Sequence, residues 1–261
     1  MLDFNKKDMQ LAFHLFRMNM RDRYLGSTLG GFWAIANPLF MLILYTFVFG
    51  FILKVRLPGV ETTWGYVIWL ISGYGPWIAT SEAIMASTTS VVGAAGVVKN
   101  IAFKTELLPL AASLGGVISL GVSLLFLIVA TTITNNVLDW RVIWLPVIAV
   151  LQFSIIAALG LWLSAINVFV RDLSIALPNL LTILMFITPI FYPIKSMPLV
   201  LQKLCLVNPF YLITDAYREV LLNHSSPNMY AMFYILILSM IIFYFGLSAF
   251  RRVKGNFDSA L

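Results

Sequence analysis

Charged positions divide this chain into long apolar stretches. Six runs carry no Asp, Glu, Lys or Arg: Tyr24–Leu53, Thr62–Ser81, Leu107–Leu138, Val142–Val170, Leu173–Ile194 and Val220–Phe250. They are 20 to 32 residues long, and a helix needs about 20 residues to cross a hydrocarbon core of roughly 30 Å. The pattern predicts an all-α membrane protein with six transmembrane helices. A transmembrane β-barrel does not fit, because its strands would be about 10 residues long with alternating polarity.

Finer features set the expected element boundaries. Residues 1–23 read as an amphipathic interface helix. Met9, Phe13, Phe16 and Met20 share one face, and Gln10, His14, Arg17 and Arg21 share another; a short soluble cap helix is the alternative. Residues 24–190 hold helices 1–5. Helix 1 is expected from Leu29 to Leu53, bent at Asn37-Pro38, where proline removes a backbone hydrogen bond. Pro58-Gly59 marks a turn. Helix 2 runs from Trp64 to Ser90, and Gly73, Gly75 and Pro76 predict a kink or break in it. Val91–Glu106 reads as a loop with a short helix at its centre. Helix 3 follows from Leu107 to Thr134, a polar turn spans Asn135–Arg141, and helix 4 spans Val142–Val170. Arg171-Asp172 separates helix 4 from helix 5, Leu173–Ile190. Residues 191–227 hold Pro193, Pro198, Pro209 and Pro227 and read as one or two short helices outside the membrane or partway into it. Helix 6 covers 228–250, and 251–261 is a tail.

Composition and charge sharpen this picture. Of the 261 residues, 61% are hydrophobic and 11% are charged, whereas a soluble domain is about 25% charged; soluble and disordered classes are excluded. The net charge of +6 does not point to nucleic acid, because the basic residues flank apolar runs, where they set topology. One side of the six-helix arrangement collects 11 Lys and Arg, the other 6. The richer side is cytoplasmic, which places both termini there and turns 191–227 outward. The first apolar run starts too late and is too long for a cleaved signal peptide. Cys205 is the single cysteine, so no internal disulfide or cysteine metal site is expected.

The sequence carries no phosphate loop of the form G-x-x-x-x-G-K-[ST]; the nearest string, residues 93–100, lacks its spacing and hydroxyl. ATP-driven transport would therefore take its ATP and Mg on a separate subunit, with no cofactor in this chain. Ion-coupled transport favours ionisable groups deep in the membrane, and Glu82 is the one acidic residue inside a predicted helix. His14 and His224 are the only histidines and fall on opposite sides, so a His-based metal site or triad would need another chain. Asp215, Arg218 and Glu219 lie at helical spacing and read either as an ion-pair cluster or as an outward-facing acid–base pair. Aromatic residues crowd helices 1 and 2. Trp33, Trp69, Tyr74 and Trp77 suit either the interfacial belt or packing, or a sugar path in which ring faces stack on C–H faces.

Several strings, in order, carry a family resemblance. Arg21-Asp22-Arg23-Tyr24-Leu25-Gly26-Ser27-Thr28-Leu29-Gly30 leads into Phe32-Trp33 and Asn37-Pro38-Leu39. Asn167-Val168-Phe169-Val170-Arg171-Asp172-Leu173 closes helix 4. Thr188-Pro189-Ile190-Phe191-Tyr192-Pro193 closes helix 5, and Asn208-Pro209-Phe210 follows. The chain resembles, over nearly its whole length, the ABC-2 type permeases of polysaccharide exporters, the O-antigen and teichoic-acid group in particular. The resemblance implies a single transmembrane domain over 1–261 in a bacterial inner membrane. It implies a permease homodimer, two copies of an ABC ATPase subunit, and an undecaprenyl-linked polysaccharide as cargo, most simply O-antigen. Capsule, teichoic-acid, drug or lipid export are the alternatives. By the same resemblance Arg17, Arg21 and Arg23 would meet the lipid pyrophosphate, which guanidinium forks suit, although positive-inside topology accounts for them equally. Lys99, Asn100, Phe103, Lys104, Glu106, Arg171 and Asp172 would dock the ATPase. Asp215, Arg218 and Glu219 would belong to outward-facing gate helices.

Overall fold

The computed structural model describes residues 5–23, 26–53, 62–100, 103–133 and 139–260. The Pro58-Gly59 turn, Lys54, Arg56 and the Asn100 side chain lie outside the described residues. Every regular element among the described residues is helical. In chain order these are α1 (Lys6–Asp22), α2 (Phe32–Tyr45), α3 (Thr63–Gly93), α4 (Ala95–Asn100), α5 (Leu107–Ala112), α6 (Val117–Ile133), α7 (Trp144–Phe169), α8 (Asp172–Ile187), α9 (Leu199–Cys205), α10 (Pro209–Leu221), α11 (Met229–Val253) and α12 (Phe257–Ala260).

Four stretches among the described residues are long and apolar enough to cross a membrane: Phe32–Ile52, Leu107–Ile133, Trp140–Phe169 and Met229–Asn256. The chain is thus a multi-pass membrane protein. The other two expected spans are helical but fall outside that set. α8 is apolar with 16 residues, and α3, with 31, intersperses its apolar positions with Gly73, Gly75, Pro76, Trp and Tyr residues and Glu82.

α3 is the hub of the bundle, packed against α2, α5, α6, α7, α8 and α10. Its burial explains why. Nineteen of its residues are buried, among them Ile68, Leu70, Ile71 and Ala79. The expected break is absent, and α3 runs as one helix through Pro76. Gly73 and Gly75 serve close packing instead. A Cβ on Gly75 would stand 2.5 Å from the Ser123 Cβ of α6, and one on Gly73 would stand 2.7 Å from the Arg218 guanidinium of α10. Polar side chains complete the seam. Gln152 of α7 donates to Pro76 O (2.9 Å) and Thr80 Oγ1 (3.0 Å), and Tyr217 of α10 donates to Gln152 Oε1 (2.9 Å).

Two further spans depart from regular α-helix. The first passes from α2 into a π-helical stretch, Thr46–Ile52. The stretch expected as helix 3 divides into α5, a 3₁₀ turn at Ser113–Gly116, and α6. Gly116 fixes that turn on α3: a Cβ there would run into the Ala79 carbonyl. The expected short helices of 191–227 are α9 and α10 with a 3₁₀ turn at Ile194–Ser196, and α10 packs against α3 and α7.

Candidate transport and coupling site

α1 opens with a capping box, in which Asn5 and Asp8 satisfy each other's first-turn donors. Its Leu15 is buried, while Met9 and Phe13 are exposed. Arg17 and Arg21 stand one turn apart and exposed on α1, and Arg23 closes it. Arg23 reaches Glu82 of α3 at 3.4 Å, and the same carboxylate accepts the Ser119 hydroxyl of α6 at 2.6 Å. The basic end of α1 is thereby tied to two helices of the bundle. Gly26 and Gly30, both at positive φ, let the chain turn from α1 into α2.

α1 also meets the segment between α3 and α5. Lys104 donates to Asp8 at 2.6 Å, which holds the Asp8 carboxyl below its ordinary value. Glu106 is 1% exposed at the start of α5 and is gripped by Arg251 Nε at 2.9 Å and Lys254 Nζ at 3.5 Å. Burial pushes its carboxyl upward. A backbone N–H, the Arg251 hydrogen bond and the two cationic charges outweigh burial and hold it below the usual carboxylate range. Lys99 is exposed on α4, and Phe103 is half-buried. Arg171 and Asp172 are exposed at the α7–α8 junction, where Arg171 donates to Ala260 O at 3.3 Å. The structure therefore brings Lys104 and Glu106 into intramolecular ion pairs and leaves Lys99, Arg171 and Asp172 on the surface.

The aromatic candidates separate by environment. Trp33 is 41% exposed on α2 and Trp69 is half-buried. Tyr74 and Trp77 belong to the core, and Trp77 meets Phe210 of α10 edge-on at 5.8 Å. Tyr74 joins a ring cluster with Tyr45, Phe49, Phe186 and Phe191 at centroid separations of 4.2 to 5.9 Å. Phe186 is not singled out from sequence, and Phe191 enters only within the string that closes helix 5. The signal available for Phe191 is the Thr188–Pro193 string after α8, where Pro189 keeps Thr188 extended and carries the chain out of the helix.

Asp215, Arg218 and Glu219 do not form the ion-pair cluster their spacing allows. Among the described residues no ion pair links Arg218 to either carboxylate. The buried Arg218 guanidinium instead donates to Pro189 O (3.0 Å) and Ile190 O (2.8 Å) and lies 3.8 Å over the Trp69 ring. The reason is that the chain past α8 leaves carbonyls without helical partners, and a planar fork fits two of them. Asp215 and Glu219 are half-buried, and Glu219 accepts from the Ser225 hydroxyl. Asn208 caps α10 and donates to Thr188 Oγ1 at 3.1 Å, a second tie between α8 and α10.

An all-helical bundle with four stretches long and apolar enough to cross a membrane among the described residues defines a multi-pass membrane protein. Residues 10–222 match the ABC-2 type transporter family, and the chain belongs to that family. It is similar to the O-antigen export system permease protein RfbA of Myxococcus xanthus, 23% identical over 253 residues, 96% of this chain and 95% of that one. It is similar to the protein of the same name from Klebsiella pneumoniae, 26% identical over 93% and 92% of the two chains. The polysialic acid transport protein KpsM of Escherichia coli is 22% identical over 91% of each.

Proposed function

We propose that this protein is the permease subunit of an ATP-driven exporter of lipid-linked polysaccharide, with O-antigen as cargo. The observation that carries this reading is the extent of its likeness to O-antigen export permeases, which covers more than nine-tenths of both chains. In this reading α3 and α8 complete six spans, both termini are cytoplasmic, and α9 and α10 form the outward gate. Two copies of the permease pair with two copies of an ABC ATPase, which binds ATP and Mg. The exposed apolar faces of α2 with the π-helical stretch that continues it (Phe40, Ile43, Phe47) and of α8 (Ile175, Ile183) supply surface for a second copy.

Arg17, Arg21 and Arg23 meet the pyrophosphate of an undecaprenyl carrier. Trp33 and Trp69 line the sugar path, and Tyr74 and Trp77 shape it from the packed layer behind. Lys99, Asn100, Phe103, Arg171 and Asp172 face the ATPase. Lys104 and Glu106 act one step back, through Asp8 and Arg251. ATP closing the ATPase dimer tilts this surface and moves the helices attached to it. Deletion of the gene in its host tests the reading. Surface polysaccharide disappears and lipid-linked polymer accumulates inside; unchanged surface polymer overturns it. The KpsM likeness favours capsule as the second reading, and the class of polymer that is lost distinguishes the two.

A further inference from the structure

The 3₁₀ turn at Ser113–Gly116 has a consequence on the outer surface of the bundle. α5 and the turn pack on α7, but α6 makes no extensive backbone packing with α7 or α11. The divergence opens a groove of about 1490 Å³, with α7 as its floor and α6 and α11 as its walls. Leu120, Leu124, Phe153, Leu236, Phe243 and Leu247 give it an apolar lining. Along α11 the groove extends from Leu236 to Arg252, about 24 Å at 1.5 Å per residue. Half of a hydrocarbon core is about 15 Å, so the groove runs the depth of one leaflet and continues past the midplane.

Its charge is confined to one end. Arg251 and Arg252 form the mouth, and no acidic residue lines the groove. Arg251 is fixed by Glu106. Arg252 is exposed and has no ion-pair partner among the described residues. An apolar channel of leaflet depth ending at a cation matches an anionic lipid, with acyl chains inside and phosphate on the guanidinium. A second copy fits badly. A two-fold contact through this groove would set Arg252 against its own copy, like charge against like.

We propose that the α6–α7–α11 groove binds an anionic phospholipid, with its phosphate on Arg252 and an acyl chain between α6 and α11. Because Arg251 both lines the mouth and holds Glu106, occupancy is linked to the segment that precedes α5. Gly121 offers a way to close the site: it lines the groove, and a Cβ there meets no atom within 4 Å. A phenylalanine at 121 projects into the groove without displacing a packed neighbour.

The test is native mass spectrometry of the purified full chain with added cardiolipin, phosphatidylcholine or a polyprenyl phosphate. The expected result is one retained cardiolipin per chain, kept at least ten-fold better than phosphatidylcholine. R252Q and G121F each lose that preference, and G121A keeps it. Melting temperatures within a few degrees of the parent show that the variants fold; if G121F does not, R252Q decides. Equal retention of phosphatidylcholine, preferential retention of the polyprenyl phosphate, a groove covered by a second copy, or cardiolipin binding unchanged in R252Q overturns the proposal.

Discussion

Gln152 sits at 0% exposure where α3, α7 and α10 meet. Replacing it with Met keeps the volume and removes three hydrogen bonds. Pro76 O and Thr80 lose little, because the Thr80 hydroxyl still donates to Pro76 O at 2.9 Å. The main loss falls on Tyr217, whose hydroxyl is left without its acceptor in a fully buried position. Stranding such a group costs about 1–3 kcal/mol. Y217F strands the Gln152 carbonyl instead, at a similar cost. The double variant strands neither, so its destabilisation falls short of the sum. Side-chain hydrogen bonds inside membranes couple by about 0.6 kcal/mol on average and about 1.7 at most, and the coupling here belongs in that range. Unfolding by SDS titration in mixed micelles, followed by circular dichroism, measures all four corners of the cycle. Costs that add to within about 0.3 kcal/mol would refute the idea that this contact joins α10 to the bundle.

Other outcomes follow from the same geometry. W77A removes a core ring that packs on Phe210 and destabilises by about 3–5 kcal/mol; the same unfolding titration reads it, and a loss below about 1 kcal/mol would place Trp77 outside the packed layer. G116V forces the 3₁₀ turn off Ala79 and costs about 1–3 kcal/mol by overpacking, with α5 and α6 losing their fixed bend; unchanged stability would show that the close approach is dispensable. The depressed carboxyl of Glu106 contributes stability that is present above its unfolded value, ordinarily 4.5, and is lost as pH falls through the lower folded value. E106Q is therefore less stable than the parent at pH 7, and the difference in melting temperature narrows below about pH 4.5; a gap independent of pH would contradict the assignment. Combined replacement of Lys99, Phe103 and Lys104 abolishes copurification of the ATPase, and normal copurification with normal export would remove the α4–α5 segment from the docking surface.

Much of the architecture is legible in where charge is absent. The charge-free runs became α2, α3, α5 with α6, α7, α8 and α11, and the proline-rich segment became α9 and α10. The short helix expected between helices 2 and 3 is α4. What the sequence hides depends on partners far along the chain. Gly73, Gly75 and Pro76 look like a helix breaker until Ser123 and Arg218 are seen against the two glycines. The 3₁₀ turn between α5 and α6 is marked locally only by Gly115-Gly116, and what requires Gly116 is its close approach to the distant Ala79 carbonyl. Arg218 looks locally paired at helical spacing, yet its guanidinium is taken by carbonyls that follow α8. The ring cluster draws on three distant segments, so no window of sequence contains it. Lys104 and Glu106 are legible as charged residues of the segment before α5; their partners, Asp8 and Arg251, lie 96 and 145 positions away.

The most direct measurement is purification of the tagged chain from its own host under gentle conditions, with mass spectrometry of what accompanies it and ATP-dependent polymer transport after reconstitution. A stoichiometric subunit carrying a phosphate loop, and movement of lipid-linked polysaccharide only when both subunits and ATP are present, is the result an export permease requires. Transport of that polymer by this chain without an ATPase, or a purified complex that hydrolyses ATP but moves no lipid-linked polysaccharide, would contradict it.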